Sequence, residues 1–115
     1  MYSTIIYMND EVSCILRGII RFQWDEWNAR KNKIKRNVST KECEEIFFNK
    51  PFIVLPDVKH SFVEIRYAAL GITDVDRLLT VIFTIRNHLV RVVSARDQSA
   101  KEKSFYTSRL KLIIK

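Results

Sequence analysis

The chain has 115 residues, 47% hydrophobic and 29% charged, which is enough apolar material for one core and too little length for two. A core of that size needs no disulfide or metal staple; Cys14 and Cys43 make no CxxC pair, and His60 and His88 alone build no zinc-ligand constellation. The formal net charge of +7 calls for an acidic partner, nucleic acid before an acidic protein.

Residues 1 to 18 alternate poorly and contain Asn9, Asp10, Ser13 and Gly18, so they read as an extension ahead of a single domain over 19–115. Asp10 and Glu11 break any signal-peptide pattern, and no apolar run approaches the ~20 residues that span a bilayer. The expected setting is cytoplasmic, with no membrane partner. Ile19 to Trp24 is a short β-type run ending at Asp25, a residue suited to cap a helix because its carboxylate accepts from first-turn amides.

Residues 26 to 36 then read as a basic helix carrying Arg30, Lys31, Lys33, Lys35 and Arg36, with Trp27 and Ile34 seven apart on one face. Asn37 tolerates the left-handed backbone that ends many helices. Ser39 and Glu42 form an S-x-x-E capping box, opening a second helix from Thr40 to about Asn49. Cys43, Ile46 and Phe47 give that helix a core stripe, in which Cys43 is a small apolar filler rather than a nucleophile.

Pro51 marks the change to β structure. Four β-branched and aromatic runs follow, Phe52 to Leu55, Phe62 to Leu70, Leu78 to Ile85 and Leu89 to Ala95. Their connections, Gly71 to Asp76 and Arg86-Asn87-His88 among them, are too short for helical crossovers, so the sheet should be an antiparallel meander. Ser99 with Glu102 is a second capping box, opening a last helix that bears Phe105, Tyr106 and Leu110. The fold class is α+β, with the two N-terminal helices on one sheet face and the C-terminal helix at the edge.

Charged residues inside apolar strands stand out, because burying an unpaired charge is costly. Glu64 and Arg66 fall on one side of their strand, opposite Val63, Ile65 and Tyr67. In the last strand strict alternation puts Arg91 with Leu89, Val93 and Ala95, and Arg96 with Val90, Val92 and Ser94. A wet face bearing arginines suits a phosphodiester, since each guanidinium offers forked donors and stays charged at any working pH.

Cleaving RNA without a metal takes a base for the 2′-hydroxyl proton, a cation for the charge growing on phosphorus, and an acid for the leaving 5′-oxygen. Arg66 and Arg91 suit the cationic part; Glu64 or a lysine suits the base; His60, Tyr106 or Lys35 suits the acid. A surface role for His60 and a plain Glu64–Arg66 cross-strand pair are the alternatives. There is no GxGxxG, P-loop, G-x-S-x-G or HExxH, and no cofactor is expected. An RNA-binding or protein-binding module without catalysis stays open at this point.

From Phe22 onward the sequence resembles the BrnT family of toxins. The resemblance rests on FQWDE at Phe22 to Glu26, KRNVSTKE at Lys35 to Glu42 and HSFVEIR at His60 to Arg66. It continues through RLLTVIFTIR at Arg77 to Arg86, LVRVVSAR at Leu89 to Arg96 and EKSFY at Glu102 to Tyr106, in uninterrupted order. It implies a RelE-like fold and a metal-independent endoribonuclease that inhibits translation as the toxin of a type II toxin–antitoxin system. It also implies a cognate BrnA-type antitoxin, which forms a heterotetramer with the toxin and holds operator DNA through its own ribbon-helix-helix part. Carried over by position, the site would comprise Arg66 and Arg91, then Glu64, His60 and Tyr106, with Lys31, Lys35, Arg36 and Arg96 binding RNA. Arg36 and Asn37 depart from the family's usual histidine and glycine: Asn37 can take the glycine's conformation, but Arg36 cannot move a proton near neutral pH.

Overall fold

The computed structural model describes residues 21–57 and 64–114, without the side chains of 31–35 and 111–114. The extension at 1–18 and residues Ile19 and Ile20 of the first β-type run lie outside them, as does His60.

Chain order is α1 (Glu26–Arg36), α2 (Thr40–Glu45), β1 (Ile53–Pro56), β2 (Arg66–Ile72), β3 (Leu78–Arg86), β4 (Leu89–Asp97) and α3 (Ala100–Ile114). Each helix starts where local chemistry supplies a cap. Asp25 Oδ1 accepts from the Asn28 amide (2.9 Å) while Asn28 Oδ1 accepts from the Asp25 amide (2.7 Å), a reciprocal cap for α1. At α2 the Ser39 hydroxyl accepts from the Glu42 amide (3.1 Å) and Glu42 returns the bond to the Ser39 amide (3.0 Å). Ser99 and Glu102 repeat the pattern at α3, at 3.2 and 2.8 Å. Between α1 and α2, Asn37 sits in the left-handed region at φ 53°.

The α2 helix is shorter than its sequence suggests. After Glu45 the chain continues in turns, with the Phe47 amide bonded to the Glu44 carbonyl and those of Phe48 and Asn49 to the Glu45 carbonyl. This tightening brings Ile46 and Phe47 into the core with Cys43, while the Asn49 side chain donates to the Ile72 carbonyl (2.9 Å).

The four strands form one antiparallel sheet in the order β1-β2-β3-β4. The β3–β4 turn is the two-residue Asn87-His88, both at positive φ (51° and 65°), as a type I′ hairpin requires. Gly71, expected in the β2–β3 connection, is instead inside β2. A Cβ there would lie 2.6 Å from Ile46 Cβ, so the missing side chain lets α2 close on the sheet.

Val54, Tyr67, Ala69, Leu79, Val81, Phe83, Val90, Val92 and Ala95 line one sheet face and join Val38, Cys43, Ile46 and Phe47 in the main core. Phe47 meets Phe22 and Phe83 edge-on and Phe52 at a tilt, with centroids 4.9–5.3 Å apart. The expected pairing of α1 and α2 on that face needs correction. The α1 helix packs on β4 through Asn28, whose Nδ2 donates to the Val92 carbonyl (3.1 Å), and Trp27 is 73% exposed. Just before α1, Phe22 bridges Val90 in parallel, so the chain entering α1 lies along β4.

Nor does α3 sit at the sheet edge. Tyr106 forms a second core with Ile53 and Leu70, whose side chains alternate to the face opposite Val54 and Ala69. The C-terminal helix therefore covers part of the second face and leaves the remainder open.

Candidate functional site

Two facing registers set the open half of the second face. Arg66 pairs with Thr84 across β2 and β3, and Thr84 with Arg91 across β3 and β4, so the two arginines flank one threonine. Two strand spacings separate their backbones, about 10 Å. Thr84 is 1% exposed and its hydroxyl donates to the Ile65 carbonyl (2.8 Å), which keeps the middle of the row closed to water.

One row along lie Ala68, Ile82 and Ser94, and in the next Leu70, Thr80 and Arg96. The register shifts between Ile82 and Phe83, leaving Val93 as an extra residue in β4. This β-bulge corrects the alternation expected from sequence: Arg96 shares the open face with Arg91, and Ala95 turns to the core with Val92. The outcome is a groove of about 330 Å³ lined by Asp57, Arg66, Ala68, Ile82, Val93, Ser94, Arg96 and Glu102.

Acids hold most of these cations in place. Arg91 Nη2 lies 2.8 Å from Asp25 Oδ2, and its side chain is only 16% exposed. The Asn28 amide first, and Arg91 second, keep the Asp25 carboxyl below the usual range. Arg96 meets Glu102 at two points, Nη1 to Oε1 at 2.7 Å and Nη2 to Oε2 at 3.0 Å. That contact, helped by the Ser99 amide and the Thr80 hydroxyl against opposing burial, brings the Glu102 carboxyl down to about 2.

Glu64 makes its ion pair with Arg86, through Nε (3.0 Å) and Nη2 (2.8 Å), where the sequence suggested Arg66. It also precedes β2, which starts at Arg66. Arg86 holds its carboxyl below the ordinary value, so Glu64 stays ionised and attracts a proton weakly. Tyr106 is wholly buried: its hydroxyl donates to the Pro51 carbonyl (2.6 Å), and burial pushes its pKa up. An acid role therefore does not fit Tyr106 in this structure, since no face of it meets solvent. Arg36 is exposed at the end of α1, and the backbones of Lys31 and Lys35 lie in the same helix. Cys43 is fully buried and its thiol is pushed up to about 12 by that burial, in keeping with a packing role.

Sequence reasoning overlooked Arg77. Its guanidinium donates to Asp97 (Nε 2.8 Å, Nη2 3.2 Å), Glu42 (Nη1 3.1 Å) and the carbonyls of Asn37 (2.9 Å) and Arg36 (3.3 Å). One side chain thus ties the end of α1, the α2 cap and the end of β4 together. Asp74 and Asp76 stand beside it in the sequence, so nothing local pointed to its distant partners. Among the described residues, no three His, Cys, Asp or Glu side chains gather as metal ligands, and no helix is long and apolar enough to cross a membrane.

No curated protein matches the chain. The model of one family does, described as "Ribonuclease toxin, BrnT, of type II toxin-antitoxin system", and it covers residues 24–102, from Trp24 beside the α1 cap to Glu102 at the groove wall. With well over half of its length matched, this chain belongs to the BrnT family of ribonuclease toxins of type II toxin–antitoxin systems.

Proposed function

We propose that the chain is a metal-independent endoribonuclease that cuts RNA through the 2′-hydroxyl, inhibits translation in the cytoplasm, and is neutralised by a BrnA-type antitoxin. The observation that carries the reading is the placing of Arg66 and Arg91 on one sheet face, flanking the buried Thr84. The α+β meander with helices on both faces supports a RelE-like fold.

In this reading the phosphodiester lies across the row. The 2′-oxygen attacks phosphorus, the bond to the 5′-oxygen breaks, and a 2′,3′-cyclic phosphate and a 5′-hydroxyl result. Arg66 and Arg91 stabilise the charge that grows on the equatorial oxygens, where preorganised donors act more strongly than water. With Glu64 a weak base and Tyr106 buried, His60 and Lys35 remain as the candidates for proton transfer, since an imidazole can both accept and donate a proton. Lys31, Lys35, Arg36 and Arg96 bind the flanking backbone.

An acidic segment of the antitoxin would cover the same basic surface, in a heterotetramer whose antitoxin half contacts operator DNA. Such a complex weakens as salt screens its rim charges.

One observation favours a second reading, a catalytically weakened RNA-binding or protein-binding module of the same fold. Arg91 and Arg96 are already paired with Asp25 and Glu102, and Arg36 replaces the family's histidine. Incubating purified protein with RNA in excess chelator separates the two. Fragments ending in cyclic phosphate are expected; RNA retention without cleavage would establish the weakened module.

A further inference from the structure

We propose that the groove between Arg66 and Arg96 is a nucleobase subsite, which holds the base of the nucleotide whose phosphate lies at Arg66 and Arg91. The proposal rests on the phosphate position given above and adds a second contact point for the substrate.

Ala68, Ile82 and Val93 come from three adjacent strands and make an apolar floor beside the arginine row. The floor exists because the bulge turns Val93 and Ser94, consecutive residues, both toward the groove; regular alternation would send one of them into the core. Small and branched side chains leave the floor shallow and wide, which suits a planar ring stacked flat on apolar surface. The volume of about 330 Å³ falls within the range of small-molecule sites, about 300–1,000 Å³.

The floor lies two residues along the strands from the arginine row, about 7 Å. A ring there and a phosphate held by the guanidinium groups of Arg66 and Arg91 can belong to one nucleotide.

The wall opposite Arg66 is polar and rigid. Glu102 accepts from both Nη atoms of Arg96, from the Thr80 hydroxyl (3.0 Å) and from the Ser99 amide (2.8 Å), and the Asp97 carbonyl takes a further bond from Arg96 Nη1 (3.2 Å). A guanidinium has five N–H donors, so these bonds leave its Nε edge to meet an acceptor on a base. Ser94 adds a hydroxyl that can donate or accept. An apolar floor with a few fixed polar groups at its rim is how small-ligand sites set orientation.

The test follows amide signals by NMR while four probes are titrated separately: inorganic phosphate, ribose 5-phosphate, the nucleoside 3′-monophosphates and the nucleosides alone. At least one nucleotide is expected to bind fivefold or more tightly than ribose 5-phosphate, and nucleosides alone should shift Ala68, Ile82, Val93 and Ser94. Ser94→Leu, which fills the floor, should bring the ratio of nucleotide to ribose-phosphate affinity close to one. Ala68→Ile makes the same test if the leucine variant loses its folded spectrum. Equal affinity for ribose phosphate and every nucleotide, or a ratio that survives both substitutions, overturns the subsite. If phosphates leave Arg66 and Arg91 untouched while nucleosides still shift the groove, the phosphate position is wrong and the base site stands.

Discussion

Arg96 and Glu102 are joined at two points, at 2.7 and 3.0 Å, and this pair ties β4 to the first turn of α3. Its pH dependence has a definite sign. The Glu102 carboxyl falls to about 2 in the folded chain from an ordinary value of 4.5. Its stabilising effect is therefore complete above about 4.5 and lost as pH falls through about 2. Glu102→Gln should flatten that part of the stability–pH curve and, through the weakened cap, cost about 1 kcal/mol at neutral pH. Melting temperature against pH measures both; an unchanged acid limb would show that the pair adds nothing.

Alanine at Arg66 or at Arg91 should lower RNA cleavage by about 100-fold, the loss expected from removing one preorganised donor. Arg91→Ala also removes the ion pair to Asp25 at the α1 cap and should lower the melting temperature somewhat, so cleavage is compared at temperatures where each variant is fully folded. Lysine should restore little, because a single ammonium cannot make the forked contact. Folded alanine variants that cleave at the parental rate would move the active site elsewhere.

Tyr106→Phe removes the bond to the Pro51 carbonyl and should cost about 1 kcal/mol of stability with cleavage retained. A tenfold drop in cleavage at unchanged melting temperature would return the hydroxyl to the chemistry.

Arg77→Ala breaks contacts to Glu42, Asp97 and two carbonyls at once and should destabilise the fold by about 2 kcal/mol or more. Arg77→Lys should recover only part, since one ammonium cannot reach all four partners in a plane. Denaturant midpoints for the two variants decide it; equal midpoints for lysine and arginine would contradict the fork.

Gly71→Ala places a methyl 2.6 Å from Ile46 Cβ, and the separation of α2 from β2 that follows should cost about 1–3 kcal/mol. A variant as stable as the parent would mean that α2 can shift freely on the sheet.

Much of this molecule is short-range and therefore legible in its residues. The capping boxes at Ser39 and Ser99, the cap at Asp25, the left-handed Asn37 and the tight Asn87-His88 hairpin each depend on neighbours within a few positions. So do the order of strands and their meander, because short connections leave antiparallel pairing as the available route. The ordered match from Phe22 to Tyr106 was enough to name the family.

The composition of the groove was decided by tertiary structure. Strand alternation is a rule of period two, and one extra residue reverses every side chain beyond it, so the bulge at Val93 put Arg96 on the same face as Arg91 where counting placed them on opposite faces. Register likewise chose Arg86 over Arg66 as the partner of Glu64, and helix packing on the second face took Tyr106 out of solvent. Arg77 shows the same limit: its partners are 20 to 41 positions away, and only the closed fold brings them within reach of one guanidinium.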